Sequence, residues 1–147
     1  MTAIDKLKEV SSFLKSQGID DAHKESEIIV THCLGIDKTA LYRDNLVLSE
    51  KDVKEIDTVL QRRVKREPLQ YIIGHVEFHG LKIKVGQGVL IPRPETELLA
   101  EEVIKAVESY KFKVISEKLK VLDLCTGSGC LALAIAKHFP DAEVYGT

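Results

Sequence analysis

The stretch VLDLCTGSGCLALAIAKHFPDAEVYGT, residues 121–147, constrains the fold more than any other part of this chain. Apolar residues run to an acid, Asp123, and a loop holding Gly127 and Gly129 follows. An almost wholly apolar run comes next, and a second strand-like segment begins after Pro140. Strand, glycine loop, buried helix, strand is the order of one parallel unit in an open α/β sheet. Where a strand end meets a helix N-terminus, the amides and the helix dipole favour an anion, and glycine lets a ligand come close. Gly127-Ser128-Gly129-Cys130-Leu131-Ala132 also fits the dinucleotide pattern G-x-G-x-x-A. The same glycines would serve in a tight turn that holds no ligand.

Upstream, the apolar spacing is helical. Ile4, Leu7, Val10 and Leu14 predict a first helix that stops at Gly18. Ile28, Ile29 and Cys33 predict a second, starting near Asp20 or Asp21 and stopping at Gly35. IDKTALYRDN reads as a short third helix with Asp37 as its cap. In SEKD an acid follows Ser49 at the capping-box spacing, ahead of a stripe of Val53, Ile56, Val59, Leu60 and Val64. Glu67-Pro68 ends that helix. Residues 1–70 therefore read as a small helical bundle. The period then changes: Val76/Phe78 and Leu81/Ile83/Val85 alternate, with His79-Gly80 as a tight turn between them. Residues 71–91 read as a β-hairpin linker. PRPETELLAEEVIKAVESY reads as a helix entered through prolines, with acids in its first turn. Its expected buried face is Leu98, Leu99, Val103, Ile104 and Val107. VISEKLKVLDL is expected to end in a strand, and CLALAIAKHF to be a buried helix. The fold class is thus α + α/β.

A net charge of -2 announces neither nucleic acid nor membrane. The apolar runs fall far short of the roughly 20 residues of a membrane helix, and MTAIDKLKEV lacks a secretory apolar region. Three cysteines in no framework spacing favour a reducing cytoplasm. His75 and His79 would pair on a metal if helical, but in a strand-like hairpin they read as surface or turn residues. QRRVKRE gathers Arg62, Arg63, Lys65 and Arg66, either to touch RNA or an acidic partner or to form a solvated helix end. Cys125 and Cys130 lack the C-x-x-C spacing and read as small residues packed in the loop and first helical turn.

Two features separate the ligand classes. NAD sites usually have no acid where Asp123 stands, whereas Asp-Leu-Cys-Thr-Gly-Ser-Gly resembles the first motif of Rossmann-like S-adenosylmethionine (AdoMet) methyltransferases. Cys125 takes the place of that motif's common first glycine. The second feature is REPLQYIIGHVEFHGLKIKVGQGVLIPRPETE, which closely resembles the HemK family, protein-(glutamine-N5) methyltransferases that modify translation release factors. The resemblance is strong over residues 66–99 and 121–147. Over residues 1–65 it is softer, as a helical bundle of the right size. It implies a release-factor docking domain at 1–70 and the beginning of a truncated Rossmann-like methyltransferase domain at 92–147. It places Asp123, Cys125, Thr126, Gly127, Ser128 and Gly129 around the methionine part of AdoMet. Arg93 and Thr96 would be the nearest polar groups of the upstream segment, on a backbone fixed by Pro92 and Pro94. Those prolines and acids would equally serve only to start a helix. The family's Asn-Pro-Pro-Tyr motif and the ribose-binding acid after the second strand are not within residues 1–147. No catalytic residue is therefore assigned, no metal is expected, and the chain is expected to be a fragment whose sheet stops mid-fold. An NAD-dependent oxidoreductase and a non-catalytic helical binding module stand as alternatives; Asp123 and residues 88–97 favour the methyl donor. The partner is expected to be a release factor, in the cytoplasm, with neither a membrane nor nucleic acid as direct substrate.

Overall fold

The computed structural model describes residues 1–111 and 118–147, in two compact units, Met1–Ile73 and Gly74–Thr147. The first unit is helical: α1 (Ala3–Ser16), α2 (Ala22–Leu34), α3 (Lys38–Asp44), α4 (Glu50–Val64) and α5 (Leu69–Ile73). Local chemistry sets the helix ends. Ser49 and Asp52 form the reciprocal cap read from the sequence, and Thr2 and Asp5 form a second at the start of α1. Each such cap is worth about 1 kcal/mol. Asp37 accepts the Ala40 N–H, while Asp21 precedes α2 without a side-chain cap bond. Gly35 ends α2 in the left-handed conformation at φ 63°.

Leu7, Val10 and Leu14 of α1 pack with Ile29 and Val30 of α2, Leu41 of α3, and Ile56 and Leu60 of α4. Ile28, one of the apolar residues that predict α2, is exposed, while Ile29 and Val30 are buried. Glu27 accepts from Lys38 Nζ at 2.8 Å and from the Tyr42 hydroxyl, fixing α3 on α2. Three members of the basic cluster at the end of α4 are paired within the unit. Arg63 pairs with Glu25 at 2.6 Å, Arg62 with Glu67, and Arg66 donates to the Gln17 carbonyl at the end of α1 at 2.8 Å.

Lys6 is a core residue, with 2% of its side chain exposed. Its ammonium donates to Asp57 at 2.7 Å and Glu9 at 2.8 Å, tying α1 to α4. Burial alone would lower its pKa, but the bonds to Asp57 and Glu9 outweigh burial and hold it above the ordinary value. A raised folded pKa gives stability that is complete below the unfolded value and is lost as pH rises through the folded one. Denaturant unfolding should therefore show stability falling above about pH 10.5, the ordinary lysine value, and Lys6→Met should make that fall shallower, the part due to the Cys33 thiol and the Tyr42 phenol remaining.

The second unit holds β1 (His75–Phe78), β2 (Leu81–Lys84), α6 (Pro94–Lys111), β3 (Lys120–Asp123), α7 (Cys130–His138) and β4 (Glu143–Gly146). Residues 71–73, read as the start of the hairpin, belong to α5. β1 and β2 pair antiparallel, with Phe78 opposite Leu81, so the connection is His79-Gly80. Both turn residues have positive φ, 48° and 67°, which matches the right-handed twist of a two-residue hairpin. β3 and β4 form a separate parallel pair. The end of VISEKLKVLDL is β3, as expected, and its residues 114–117 lie outside the described residues.

α6 buries Ala100 and Ile104 rather than Leu98 and Leu99, which are 62% and 51% exposed. Ile104 packs with Ile135 and Phe139 of the α7 segment, and Val103, Val107, Val121 and Val144 close around them. This core covers one face of β3–β4. On the other, the register partners Leu122 and Tyr145 are exposed. α7 is less buried than its composition predicts: Cys130, Ala134 and Ile135 are buried while Leu133 is half exposed. The architecture is a helical unit followed by a mixed unit of helices and two small sheets. Among the described residues no helix is long and apolar enough to cross a membrane.

Candidate functional site

Asp123 ends β3 in register with Gly146 of β4. Its Oδ2 accepts from Thr126 Oγ1 at 2.7 Å and from the Ala132 N–H at 3.3 Å. The N-cap of α7 is Gly129, which has no side chain to cap with. The Asp123 carboxylate takes that role from across the loop, satisfying an early N–H of the helix and its dipole. Thr126 is the junction. Its N–H donates to the Thr147 carbonyl at 2.9 Å, and its carbonyl accepts the Gly129 N–H at 2.8 Å. It also lies hard against β4: a Cβ on Gly146 would sit 2.8 Å from Thr126 Oγ1 and 3.1 Å from Cβ and Cγ2. Gly146 was not singled out from sequence. The one signal is a glycine interrupting a strand, which marks close approach of another segment.

Alternate residues of the loop are left-handed: Cys125 at φ 59°, Gly127 at 57° and Gly129 at 77°. That geometry is the physical reason a glycine is favoured at position 125, and a cysteine there costs on the order of 1 kcal/mol. Crowding does not demand the other two glycines. A Cβ would come no nearer than 3.9 Å to the Cys125 carbonyl oxygen from Gly127, or 3.7 Å to Leu133 Cδ1 from Gly129. Their backbone conformation demands them. Ser128 lies between them, half-buried.

Cys130 is buried at the start of α7, as the sequence suggested. Cys125, on a left-handed backbone, is exposed instead of packed. Burial, with a further push from Glu55, raises the Cys33 thiol to about 11. An alkylating reagent should therefore label Cys125 well ahead of Cys33 and Cys130, as peptide mass mapping would show.

The upstream segment is organised separately. Pro94 is the first residue of α6, where a missing N–H is harmless. Arg93 is exposed and Thr96 half-buried, and the Thr96 N–H donates to the Arg93 carbonyl at 2.9 Å. Glu97 reaches the hairpin, its Oε1 accepting the His79 N–H at 3.0 Å. The structure thus joins Asp123, Thr126 and Gly129 directly, while Arg93 and Thr96 are bonded to each other at the helix start. His75 and His79 belong to the hairpin. Among the described residues no group of three His, Cys, Asp or Glu side chains is placed to hold a metal.

Residues 5–74 match the PrmC N-terminal domain. Over 147 residues the chain is 44% identical to a protein of Thermodesulfovibrio yellowstonii named release factor glutamine methyltransferase, covering 99% of this chain and 49% of that one. Proteins of the same name from Geobacter sulfurreducens and Clostridium acetobutylicum are 38% and 36% identical over 91% and 95% of this chain, and 45% and 47% of theirs. The chain spans about half the length of the curated relatives it matches. The chain thus carries a PrmC N-terminal domain at residues 5–74 and is similar, over nearly its whole length and through the glycine loop, to proteins named release factor glutamine methyltransferase.

Proposed function

We propose that this chain carries the substrate-docking and part of the cofactor-binding machinery of an AdoMet-dependent methyltransferase that modifies a glutamine side-chain amide on peptide chain release factors. The observation that carries the reading is the loop itself. An acid-ended parallel strand turns through left-handed residues 125, 127 and 129 into the N-terminus of α7. In this reading residues 1–70 dock the release factor and 71–91 are the hairpin linker. Residues 92–147 are then the first part of a Rossmann-like domain, with β3, α7 and β4 as its opening unit. A substrate drawn from translation implies a cytoplasmic location.

The residues fit the cofactor. The left-handed glycines let a ligand approach the loop backbone closely, and the strand-to-helix junction suits a polar, partly charged ligand. Asp123, Cys125, Thr126, Gly127, Ser128 and Gly129 would hold its methionine part, with Arg93 and Thr96 as the nearest polar groups of the upstream segment. Bound AdoMet supplies a sulfonium-borne methyl group for transfer to the amide nitrogen. The chain's own part is orientation: Thr126 and the Ala132 N–H hold the Asp123 carboxylate in one direction, so the loop meets its ligand already formed.

The test uses the whole protein with labelled AdoMet and a release factor. Label should appear in the amide of one glutamine, and S-adenosylhomocysteine, not NADH, should compete. Competition by NADH, with no label transferred, would move the protein to the oxidoreductases. Bound S-adenosylhomocysteine should also slow alkylation of the exposed Cys125, whereas equal rates with and without it would remove the loop from the site.

A further inference from the structure

A two-residue hairpin turn leaves the N–H and C=O of both its turn residues outside the strand ladder. In His79-Gly80 two of these groups are met by charged side chains from two different helices. Glu97 of α6 accepts the His79 N–H at 3.0 Å. Lys137 of α7 donates to the Gly80 carbonyl at 2.9 Å. The polarity is matched, carboxylate to N–H and ammonium to C=O, which makes both bonds charge-assisted. Contact with α7 is close enough that a Cβ on Gly80 would lie 3.3 Å from Lys137 Nζ. The turn itself is stiff. It joins a strand pair anchored by the buried Phe78 and Ile83, and both of its residues are left-handed.

Glu97 closes the Pro-Arg-Pro-Glu-Thr-Glu segment, and α7 is the helix whose first turn is bonded to Asp123. We propose that the His79-Gly80 turn is a clasp that sets the position of residues 92–97 relative to the glycine loop, with Glu97 and Lys137 as its positioning residues. The consequence for binding rests on the cofactor reading above; the clasp itself does not. The Ile104, Ile135 and Phe139 core brings α6 and α7 together, but apolar contact is non-directional and lets helices slide. Two directional bonds to one rigid turn remove that freedom. Glu97, half-buried, has the larger effect, and Lys137, exposed, the smaller.

The experiment compares Glu97→Ala, Lys137→Ala, their double variant and Glu97→Gln in the full chain. It reads backbone amide exchange by mass spectrometry and S-adenosylhomocysteine affinity by calorimetry. Glu97→Ala should speed exchange in residues 124–133, far along the chain from the substitution. It should weaken binding about tenfold, the equivalent of one charge-assisted hydrogen bond. Glu97→Gln retains an acceptor oxygen and should recover most of both. The double variant should lose little more than Glu97→Ala alone, because with Glu97 gone the turn no longer ties α6 to α7, whatever Lys137 does. Faster exchange confined to residues 75–84, or fully additive losses, would overturn the proposal. If the unsubstituted protein does not bind S-adenosylhomocysteine, the cofactor reading fails, and the exchange pattern alone decides the clasp.

Discussion

Gly129→Val should abolish S-adenosylhomocysteine binding in the whole protein and leave the helical unit folded. Gly129 sits at φ 77° as the N-cap of α7. A β-branched residue is a steric outlier there and costs on the order of 1–3 kcal/mol if forced to stay. The backbone relaxes instead, turning the peptide that donates from Gly129 N–H to the Thr126 carbonyl. That movement carries the first turn of α7 away from Asp123, whose bond to the Ala132 N–H is already long at 3.3 Å. Gly127→Val acts alike at φ 57°. Calorimetry should find at least a hundredfold loss of affinity for either variant, about 2.7 kcal/mol or more. The circular-dichroism signal of the helical unit should persist, since among the described residues its core is built from residues 3–73. Unchanged affinity in both variants would remove the loop from the cofactor site.

Gly146→Val should damage the same loop from the opposite side. Its first side-chain carbon would meet Thr126 Oγ1 at 2.8 Å. The side chain of Thr126 has one escape, rotation away from β4, which breaks its bond to Asp123 Oδ2. Valine adds two further methyl groups, so rotation alone does not suffice and the loop must shift. Overpacking of this kind costs about 1–3 kcal/mol, and with the loop displaced affinity should fall by tenfold or more. Thr126→Ala removes Oγ1 and Cγ2, two of the three clashing atoms. Added to Gly146→Val, it should restore part of the lost stability, though not the bond to Asp123. A double variant no more stable than Gly146→Val would show that the contact between residues 126 and 146 is not the cause.

Much of the fold is legible in residue order because its determinants act over a few residues. Ser49 and Asp52 cap α4 within one turn of chain, and His79-Gly80 specifies a hairpin turn by backbone preference alone. The glycine loop is equally local. Left-handed positions at 127 and 129 call for glycine whatever packs nearby, and position 125 departs from that preference. Thr2 and Asp5 carry the same capping signal at the other end of the unit. The apolar pattern was a weaker guide. Leu98 and Leu99 keep helical spacing yet face outward, because the neighbour α6 packs on selects Ala100 and Ile104 instead.

What residue order does not settle is which groups meet across space. A run of basic residues at 62–66 has the composition of a binding patch. Glu25, Glu67 and the carbonyl of Gln17 claim three of its members, and chain folding alone brings two of those partners near. Lys6 shares the face of α1 that carries Ala3 and Val10, and Asp57, from another helix, supplies the partner that lets a charge be buried there. The bare Gly146, the reach of Asp123 to the Ala132 N–H, and Glu97 on the hairpin turn are of the same kind. Caps, turns and left-handed glycines depend on torsions within one short segment, so residue order alone specifies them. Ion pairs, buried faces and close approaches depend on distances between segments far apart in the chain, and only the packed tertiary structure sets those distances.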